Sequence, residues 1–324
     1  MALLADYYVN TDTGDDGNPG TSGSPKASLD GALDQIVVDS GGTLDKNVTV
    51  HLTGATDDTL SCTTSGIAHG GYILTIEADA VGPIWAAGSY ILKETSTFAR
   101  ALEVVSATGA VVVRHLQIDL NSQGNSTGIY TLAGIFTDGC FIKTGGTSAI
   151  GIYSASSSAP TFTNTIVTGV PDGITVADWG NTYVYNCDIA NASSTGIKRV
   201  GTNGTKPTVK NCAVFNTGDD FSGSFATIDY CASDDGDGTN PVTPSGGGAW
   251  WPDDFADAAN NDFTLLSSSN LVGSGVDLSG IFTNDINDDT RTVPWDLGAD
   301  AYIPAAGFEP AWARNANQII GGAM

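Results

Sequence analysis

The sequence predicts an all-β fold, a parallel β-helix in which short strands stack coil upon coil. The first observation is a strand, a bend and a second strand within residues 183–197, with inward-facing residues on both sides of Asn186. The second is that this unit recurs at a nearly constant period. The third is composition: Gly occurs 41 times, whereas only 4 of the 36 acidic residues are Glu, which favours turns over helices.

The bend at Asn186 follows from the pattern of apolar residues. Val184, Cys187 and Ile189 can all face inward only if the chain turns at Asn186. Asparagine tolerates the left-handed backbone conformation that such a turn needs, because its short amide can form local hydrogen bonds. Asn164, Asn186 and Asn211 are therefore expected to stack into an internal amide ladder, each pairing with the next.

The repeat is seen in two independent phases. Residues at the Cys187 position are separated by 24, 25, 22, 25 and 19 positions, and a Gly-Ile pair recurs at separations of 23, 22 and 23. Such periods mean stacked units that bury their apolar faces against neighbours. Leucine-rich repeats share this period, but the segments lack the leucines and the helical stretch. The two sets are Leu116, Cys140, Thr165, Cys187, Cys212 and Cys231, and Gly128-Ile129, Gly151-Ile152, Gly173-Ile174 and Gly196-Ile197.

Three regions are predicted along the chain. Residues 1–47 contain a strand at 7–10 and a capping helix in which Ser28 is the N-cap and one apolar face covers the open end of the solenoid. Residues 48–233 form eight or so coils, irregular up to residue 105 and regular afterwards. The repeats stop at residues 234–238, and residues 234–324 form a loop-rich cap and an extended segment along the rod. The helix face is Leu29, Ala32, Leu33, Ile36 and Val37.

Charge and cysteine usage narrow the function classes. The formal net charge is −24, which disfavours nucleic acid and anionic membranes as partners. No apolar run approaches a membrane span, and the first five residues lack the features of a signal peptide, so synthesis in a cytoplasm is expected.

The five cysteines are an odd number without paired spacing, and four share one inward position. They are predicted to be reduced core residues.

Two stretches carry a resemblance to a known superfamily. The opening, YYVN at residues 7–10 followed by GDDG, GT, SP, SL and AL, resembles the N-terminal cap of right-handed parallel β-helix proteins of the pectate-lyase-like superfamily. Residues 285–291 (DINDDTR) and 296–299 (DLGA) resemble a terminal motif of bacterial and phage β-helix proteins. The resemblance implies a right-handed β-helix. Pectate lyases, polygalacturonases, bacterial surface proteins and phage tailspikes share it, so the resemblance identifies fold much better than function.

The first candidate site is Asp219 and Asp220 with Lys198 and Arg199. One coil separates Asp220 from about Gly196, which brings the acids beside the basic pair. Polygalacturonases of the resembled superfamily use paired carboxylates, one protonating the leaving oxygen and another activating water. Their Gly-His-Gly-like and Arg-x-Lys-like motifs do not follow Asp220 here, and adjacent strand residues point to opposite faces. A surface turn with an ion pair is the simpler interpretation.

The second candidate site is metal-binding. Asp234, Asp235 and Asp237 form one acidic loop, and Asp12, Asp15 and Asp16 another. Such loops supply some of the six to eight oxygens that Ca²⁺ takes. The spacing of an EF-hand is missing, so no cofactor is assigned, with Ca²⁺ as the alternative and solvated turns as the simpler interpretation.

The third candidate site consists of the histidines at 51, 69 and 115, which have no nucleophile in a recognisable elbow. Superfamily lyases use a Ca²⁺-bound acidic cluster and an arginine base, and no such cluster shares one coil face. The sequence therefore indicates no enzyme.

Two functional hypotheses remain. The first is a non-enzymatic bacteriophage virion protein, made in the host cytoplasm, that decorates capsid or tail as a homotrimer. Its C-terminal tail resembles those of phage structural proteins and would contact a partner through Trp312, Arg314, Ile319 and Ile320. Alternatively, the tail packs on its own rod. The second hypothesis is a tailspike or pectate-lyase-like protein that binds or degrades a host surface glycan.

Overall fold

The computed structural model describes residues 2–79, 82–105, 110–177, 180–202, 204–245 and 253–304. Within these ranges the chain forms one α-helix, α1 (Leu29–Ser40), a short 3₁₀ helix (Ala258–Asn260) and 24 strands. The strands are β1 (Asp6–Asn10), β2 (Val48–Thr53), β3 (Cys62–Thr63), β4 (Ile73–Ala78), β5 (Ile91–Lys93), β6 (Arg100–Val104), β7 (Ala110–Arg114), β8 (Gln117–Asp119), β9 (Thr127–Thr131), β10 (Ile135–Asp138), β11 (Phe141–Lys143), β12 (Ile150–Ser154), β13 (Thr161–Thr163), β14 (Ile166–Thr168), β15 (Asp172–Ala177), β16 (Tyr183–Tyr185), β17 (Asp188–Ala190), β18 (Thr195–Val200), β19 (Thr208–Lys210), β20 (Ala213–Phe215), β21 (Phe221–Ser222), β22 (Thr227–Asp229), β23 (Phe255–Asp257) and β24 (Asp262–Leu265).

The strands from β1 to β22 form three parallel sheets, and from β4 to β21 each coil adds one strand to every sheet. The first sheet has the order β1-β2-β4-β7-β10-β13-β16-β19-β22, the second β5-β8-β11-β14-β17-β20, and the third β3-β6-β9-β12-β15-β18-β21. This is a right-handed parallel β-helix of about seven turns, which confirms the predicted fold class.

A left-handed residue marks the corner between the first and second sheets in six successive coils. Asn186 has a φ of 49°, as the bend predicted from its neighbours requires. Asparagine and glycine accept this conformation at little cost, whereas most side chains do not. The six residues are His115, Gly139, Asn164, Asn186, Asn211 and Tyr230, with φ between 47° and 65°.

The residue after each corner points into the core, which confirms the predicted inward stack. Leu116, Cys140, Thr165, Cys187, Cys212 and Cys231 are all fully buried. Two positions later a second buried row runs through the second sheet in direct register, from Ile118 through Ile142, Val167 and Ile189 to Val214. All five cysteines are buried free thiols. Burial raises the pKa of the Cys140 thiol to about 12, so it remains protonated.

The recurring Gly-Ile pairs lie in the third sheet, where each glycine packs against the backbone of the next coil. Ile129, Ile152, Ile174 and Ile197 form one inward row in register. A Cβ atom on Gly173 would lie 2.5 Å from the carbonyl oxygen of Gly196 and 2.5 Å from Ile189 Cγ2. Glycine is needed at this position because neither the backbone of the next coil nor the packed core can move aside.

The capping helix is also confirmed. The Ser28 hydroxyl accepts a hydrogen bond from the Gly31 amide at 3.0 Å, and Leu29, Ala32, Leu33 and Ile36 are buried against the first coils. Gly31 weakens the helix by its flexibility, but a Cβ there would lie 2.3 Å from Asp16 Oδ1. The Asp16 carboxylate in turn accepts hydrogen bonds from the Ser28 amide and hydroxyl. Because Gly31 has no side chain, the Asp16 carboxylate can lie beside it and accept these hydrogen bonds at the start of the helix.

The amide ladder differs from the predicted one. Asn211 Nδ2 donates to Asn186 Oδ1 at 3.1 Å, but Asn164 is not part of the ladder. Its amide donates instead to Asp138 Oδ1 and to the carbonyl of Asn284, both at 2.8 Å. These amides face outward from the corner rather than into the core. They lie under the C-terminal part of the chain, whose backbone carbonyls compete for the amide hydrogens.

The C-terminal segment (residues 253–304) lies along the side of the rod. Its apolar residues pack on the outward face of the second sheet. Leu278 and Trp295 contact Tyr185 of the first sheet. The apolar contact set on the second sheet comprises Phe141, Ile166, Ala190, Ala213, Phe215 and Ala232 from the coils, and Phe255, Phe263, Leu265, Leu271, Ile286, Leu297 and Ala299 from the segment.

The coils continue further than the sequence indicated. Thr239 forms a parallel bridge with Asp229, and Val242 forms one with Ala232, so the chain makes a further partial turn beyond residue 238. This partial turn follows the stop expected at residues 234–238, and it has no Cys or Gly-Ile pair by which the sequence would reveal it. Trp312, Arg314, Ile319 and Ile320 lie outside the described residues.

Among the described residues, no helix has the length and apolar character needed to cross a lipid bilayer.

Candidate functional site

Lys198 and Asp220 are near each other along the coils but do not form an ion pair. The Gly196 amide donates to the Asp219 carbonyl at 2.9 Å, so the expected register between the two coils is present. Lys198 Nζ, however, lies 3.3 Å from Asp172 Oδ2. Asp219 is exposed while Asp220 is buried, as expected for adjacent residues that face opposite ways. Lys198 and Asp220 therefore do not form the ion pair expected of the first candidate site.

Asp220 belongs to a different group of side chains. Its carboxylate accepts hydrogen bonds from the Thr217 hydroxyl and the Asp234 amide, both at 2.7 Å. Asp220, Asp235 and Asp237, here called the acidic cluster, place one carboxylate oxygen each within 4.8 Å of one another. Asp234, which the sequence grouped with Asp235 and Asp237, contributes its backbone amide rather than a cluster oxygen.

Burial and neighbouring negative charges favour the protonated form of two carboxyl groups in the acidic cluster. Burial, followed by the charges of Asp234 and Asp235, raises the pKa of Asp220 to about 6, although two hydrogen bonds oppose the rise. Burial and the neighbouring Asp235 raise the pKa of Asp237 to about 6 as well. Like charges held together are stabilised by a proton or by a cation. Three carboxylates supply only part of the shell that Ca²⁺ requires.

The aspartates of the N-terminal acidic loop accept hydrogen bonds from backbone amides. Asp12 accepts hydrogen bonds from the amides of Ala55 and Thr56 and from the Thr56 hydroxyl. The Thr56 hydroxyl is the largest cause of the lowered pKa of Asp12. Asp15 accepts a hydrogen bond from the Gly17 amide at 2.8 Å, and Asp16 caps the helix, so all three acids in this loop have structural partners.

A groove of about 390 Å³ on the outer face of the first sheet brings together residues that the sequence left apart. Five ionisable side chains line it, and two apolar residues complete the lining. Adjacent strands β2 and β4 place His51 directly beside Glu77. The ionisable residues are His51, Glu77, Asp79, His115 and Asp288, and the apolar ones are Leu52 and Ala78.

His115 is held in this groove by the corner geometry. It occupies the left-handed position that asparagine takes in three other coils, with a φ of 54°. Its ring lies over Gly139, where a Cβ would come within 2.6 Å of His115 Cδ2. The imidazole is almost completely buried, and its Nε2 lies 3.4 Å from Asp288 Oδ2. Glycine in the next coil and the aspartate of the C-terminal segment therefore fix the ring together.

His51 has a comparable arrangement. Its Nε2 lies 3.0 Å from Asp6 Oδ1, and its ring stacks on Tyr8 with centroids 4.9 Å apart. The third histidine is elsewhere: His69 is fully buried, and neither ring nitrogen has a hydrogen-bond partner among the described residues. Burial lowers the pKa of His69, so it remains neutral.

The sequence considered these histidines only as partners of a nucleophile and therefore missed the groove. The left-handed corner position of His115 was a usable signal. Asp288 lies 173 residues further along the chain, and no pattern in the sequence connects the two.

The terminal motif forms a buried polar network under the C-terminal segment. Arg291 is 6% exposed, and its guanidinium donates to the carbonyls of Gly298 and Ala299 and to Asn164 Oδ1. Asp188, on the outward face of the second sheet, accepts from the Ala299 amide at 3.0 Å. Burial raises the pKa of Asp188 to about 8. The motif therefore fastens the C-terminal segment to the coils.

Comparison with known proteins adds little to this description. No family model matches the sequence, and no curated protein matches it. Among solved structures, the chain is similar to one described as "Crystal structure of pectate lyase Pel9A", with 12% identity and a TM-score of 0.42, over 94% of this chain and 98% of that chain.

Proposed function

We propose that this chain is a non-enzymatic structural protein of a bacteriophage particle, a β-helical rod that decorates the capsid or the tail. The observation that carries the proposal is the attachment of the C-terminal segment along the coils. The terminal motif in that segment is also the stretch that resembles phage and bacterial β-helix proteins.

The C-terminal segment links coils that would otherwise contact only their neighbours. The Asn284 carbonyl accepts from Asn164 Nδ2, and the Asp296 carbonyl accepts from Asn186 Nδ2 in the next coil. The Val276 carbonyl accepts from Asn211 Nδ2 one coil further on. Three successive coils are thus fastened to one continuous segment. Such links oppose bending and peeling of the coils, which a rod on a particle surface must resist.

The proposal includes partners and location. The rod assembles as a homotrimer, is made in the host cytoplasm, and binds other virion proteins through Trp312, Arg314, Ile319 and Ile320. Aromatic and arginine side chains commonly dominate interface energies, and this composition is the basis for choosing the tail. A net charge of −24 disfavours nucleic acid and anionic membranes as alternative partners. No cofactor is assigned.

One observation favours a second candidate function, binding or cleavage of a host surface polysaccharide. The groove pairs His115 with Asp288 and places Glu77 nearby. A histidine oriented by a carboxylate, next to a second carboxylate, is a combination able to exchange protons with a substrate. A lyase version of this function would use a separate site, with Ca²⁺ as the cofactor at the acidic cluster beside the last coils.

An assay for cleaved sugar distinguishes the two functions. Full-length protein incubated with host polysaccharide, with and without added Ca²⁺, is expected to release neither reducing ends nor unsaturated products. Asp220→Asn and His115→Asn should behave like the native protein. Product release by the native protein that disappears in either variant would establish the enzyme and overturn the structural proposal.

A further inference from the structure

We propose that residues 284–302, here called the latch, are held against the coils while buried carboxyl groups at the contact are protonated, and open as those groups ionise. The inference concerns the attachment of this stretch and is independent of where the rod is located. It starts from one carboxyl group, Asp188, which occupies a position where the neighbouring coils have apolar residues.

The packing of the second sheet does not require a carboxyl group at Asp188. Its strand partners in the coils before and after are Ile166 and Ala213, which belong to the apolar contact set under the C-terminal segment. Phe141 has the same place one coil earlier. Apolar residues therefore suit this row, whereas a carboxyl group is costly to bury there in its charged form. The contact with the latch thus depends on the charge of Asp188.

The contacts of Asp188 suit a neutral carboxyl group better than a charged one. Asp188 is fully buried, and its Oδ2 accepts a hydrogen bond from the Ala299 amide at 3.0 Å. Its Oδ1 has no hydrogen-bond partner among the described residues and lies against Gly298, where a Cβ atom would be 2.3 Å away. One hydrogen bond stabilises a buried charge less than the two or three that hold other carboxylates ionised.

The latch contributes more negative than positive charge to this contact. Arg291 supplies the positive charge, and Asp285, Asp296 and Asp300 supply three carboxyl groups, each of the four side chains being at most 8% exposed. With Asp188 on the coil, four carboxyl groups share one guanidinium. Full ionisation would leave an excess of three negative charges in a buried contact, where like charges repel one another strongly.

Ionisation is opposed most clearly at Asp188 and Asp300, which lie on the coil and on the latch respectively. Burial, with a further contribution from the charge of Asp300, raises the pKa of Asp188 to about 8. Burial, with a contribution from the charge of Asp285, raises the pKa of Asp300 to about 7. Burial also raises the pKa of Asp285 and of Asp296, but each of these accepts at least two hydrogen bonds from backbone amides, which favour the charged form.

Rising pH therefore favours opening of the latch. In the open state Asp188 and Asp300 reach water, where a carboxyl group ionises at about pH 4. In the closed state they keep their protons up to about pH 8 and pH 7, respectively. A group whose pKa is raised stabilises the closed state below its ordinary pKa, and this stabilisation is lost progressively up to the raised value. The latch is thus closed in acid and opens more often as the pH rises to about 8.

Hydrogen–deuterium exchange of the full-length protein measures this opening, after correction for the intrinsic effect of pH on exchange. The opening constant of the latch is expected to rise about hundredfold per pH unit between pH 5 and 7, because two groups ionise on opening. Between pH 7 and 8 it should rise about tenfold, because only Asp188 still contributes. Amides of β12 in the third sheet should keep their protection throughout.

Two variants remove the ionisable group on the coil. Asp188→Asn keeps an oxygen that can accept from the Ala299 amide, and Asp188→Ala introduces the residue that the next coil has in this row, at Ala213. In both, the opening constant should rise only about tenfold per pH unit up to pH 7 and should then stay constant. Asp219→Asn, a change at an exposed carboxylate, is the matched control and should exchange like the native protein.

An opening constant that stays unchanged from pH 5 to 8 in the native protein would overturn the proposal. An equal rise in the native protein and both Asp188 variants would also overturn it. An equally large rise at β12 would mean that the whole rod unfolds, which contradicts a separate opening of the latch.

Discussion

Replacing Arg291 with methionine is expected to lower the free energy of unfolding by about 3–5 kcal/mol, the usual cost of removing one member of a buried charged network. The guanidinium is 6% exposed and donates to the Gly298 and Ala299 carbonyls and to Asn164 Oδ1. Methionine retains the length of the side chain but removes one donor from each acceptor. The Gly298 and Ala299 carbonyls keep hydrogen bonds from Asn186 Nδ2 and the Ile286 amide, whereas Asn164 Oδ1 keeps no donor among the described residues. Urea unfolding monitored by circular dichroism measures the loss.

Arg100→Met is the matched control. Arg100 lies on the third sheet, where its guanidinium covers the Tyr130 ring and pairs with Glu103, and its side chain is 40% exposed. An exposed pair of this kind contributes about 1 kcal/mol or less. Similar losses for Arg291→Met and Arg100→Met would contradict the account of Arg291 as the residue that fastens the C-terminal segment.

Replacing Asp188 with asparagine is expected to stabilise the protein above pH 4. Burial raises the pKa of Asp188 to about 8, and Oδ1 has no hydrogen-bond partner among the described residues. The unfolded chain releases the proton near pH 4, whereas the folded chain holds it up to about pH 8. Between these values, rising pH favours the unfolded state, and asparagine removes that penalty.

The pH profile supplies the measurement. Stability of Asp188→Asn should match that of the native protein near pH 4, exceed it increasingly as the pH rises, and level off above about pH 8. The difference at pH 8 should be about 5 kcal/mol, since a shift of four pKa units corresponds to that free energy. Asp219→Asn, a change at an exposed carboxylate, should follow the native curve. A native protein whose stability is unchanged from pH 5 to 8 would contradict the burial of a protonated Asp188.

The coils were predictable because one physical requirement repeats in each of them. Cys187 and Ile189 face inward only if Asn186 turns the chain, and the same requirement recurs at Asn164 and Asn211. Gly173 repeats for a comparable reason, the close approach of the next coil. The repeat period therefore predicts which inward-facing residues are in register in successive coils.

The outward face was not predictable in the same way. Phe141 and Ile166 face the C-terminal segment, whose residues have no period matching the coils. The available signal was local: in Phe141-Ile142 and Ile166-Val167, adjacent apolar residues face both sides of the sheet, as in a sheet covered on both faces. That pattern predicts a cover, but it does not identify the segment that provides it.

The spatial grouping of the candidate site residues was not predictable for a related reason. Asp220 and Asp235 were assigned to different sites because the irregular last coil gives no register across the 15 residues between them. His51 and His115 were grouped only by residue type, since the irregular coils before residue 105 give no register between His51 and the regular coil of His115. Groups joined across such coils become visible only from coordinates.

Quantitative mass spectrometry of purified particles tests the central claim most directly. The full-length chain is expected in every particle in a fixed copy number, with hundreds of copies indicating decoration and a handful indicating the tail. A chain truncated after Pro304 should melt like the full-length protein but be absent from particles and fail to form trimers. Particles without the full-length chain would contradict the proposed function. A truncated chain that melts several degrees lower yet still binds would contradict the role given to Trp312 and Arg314.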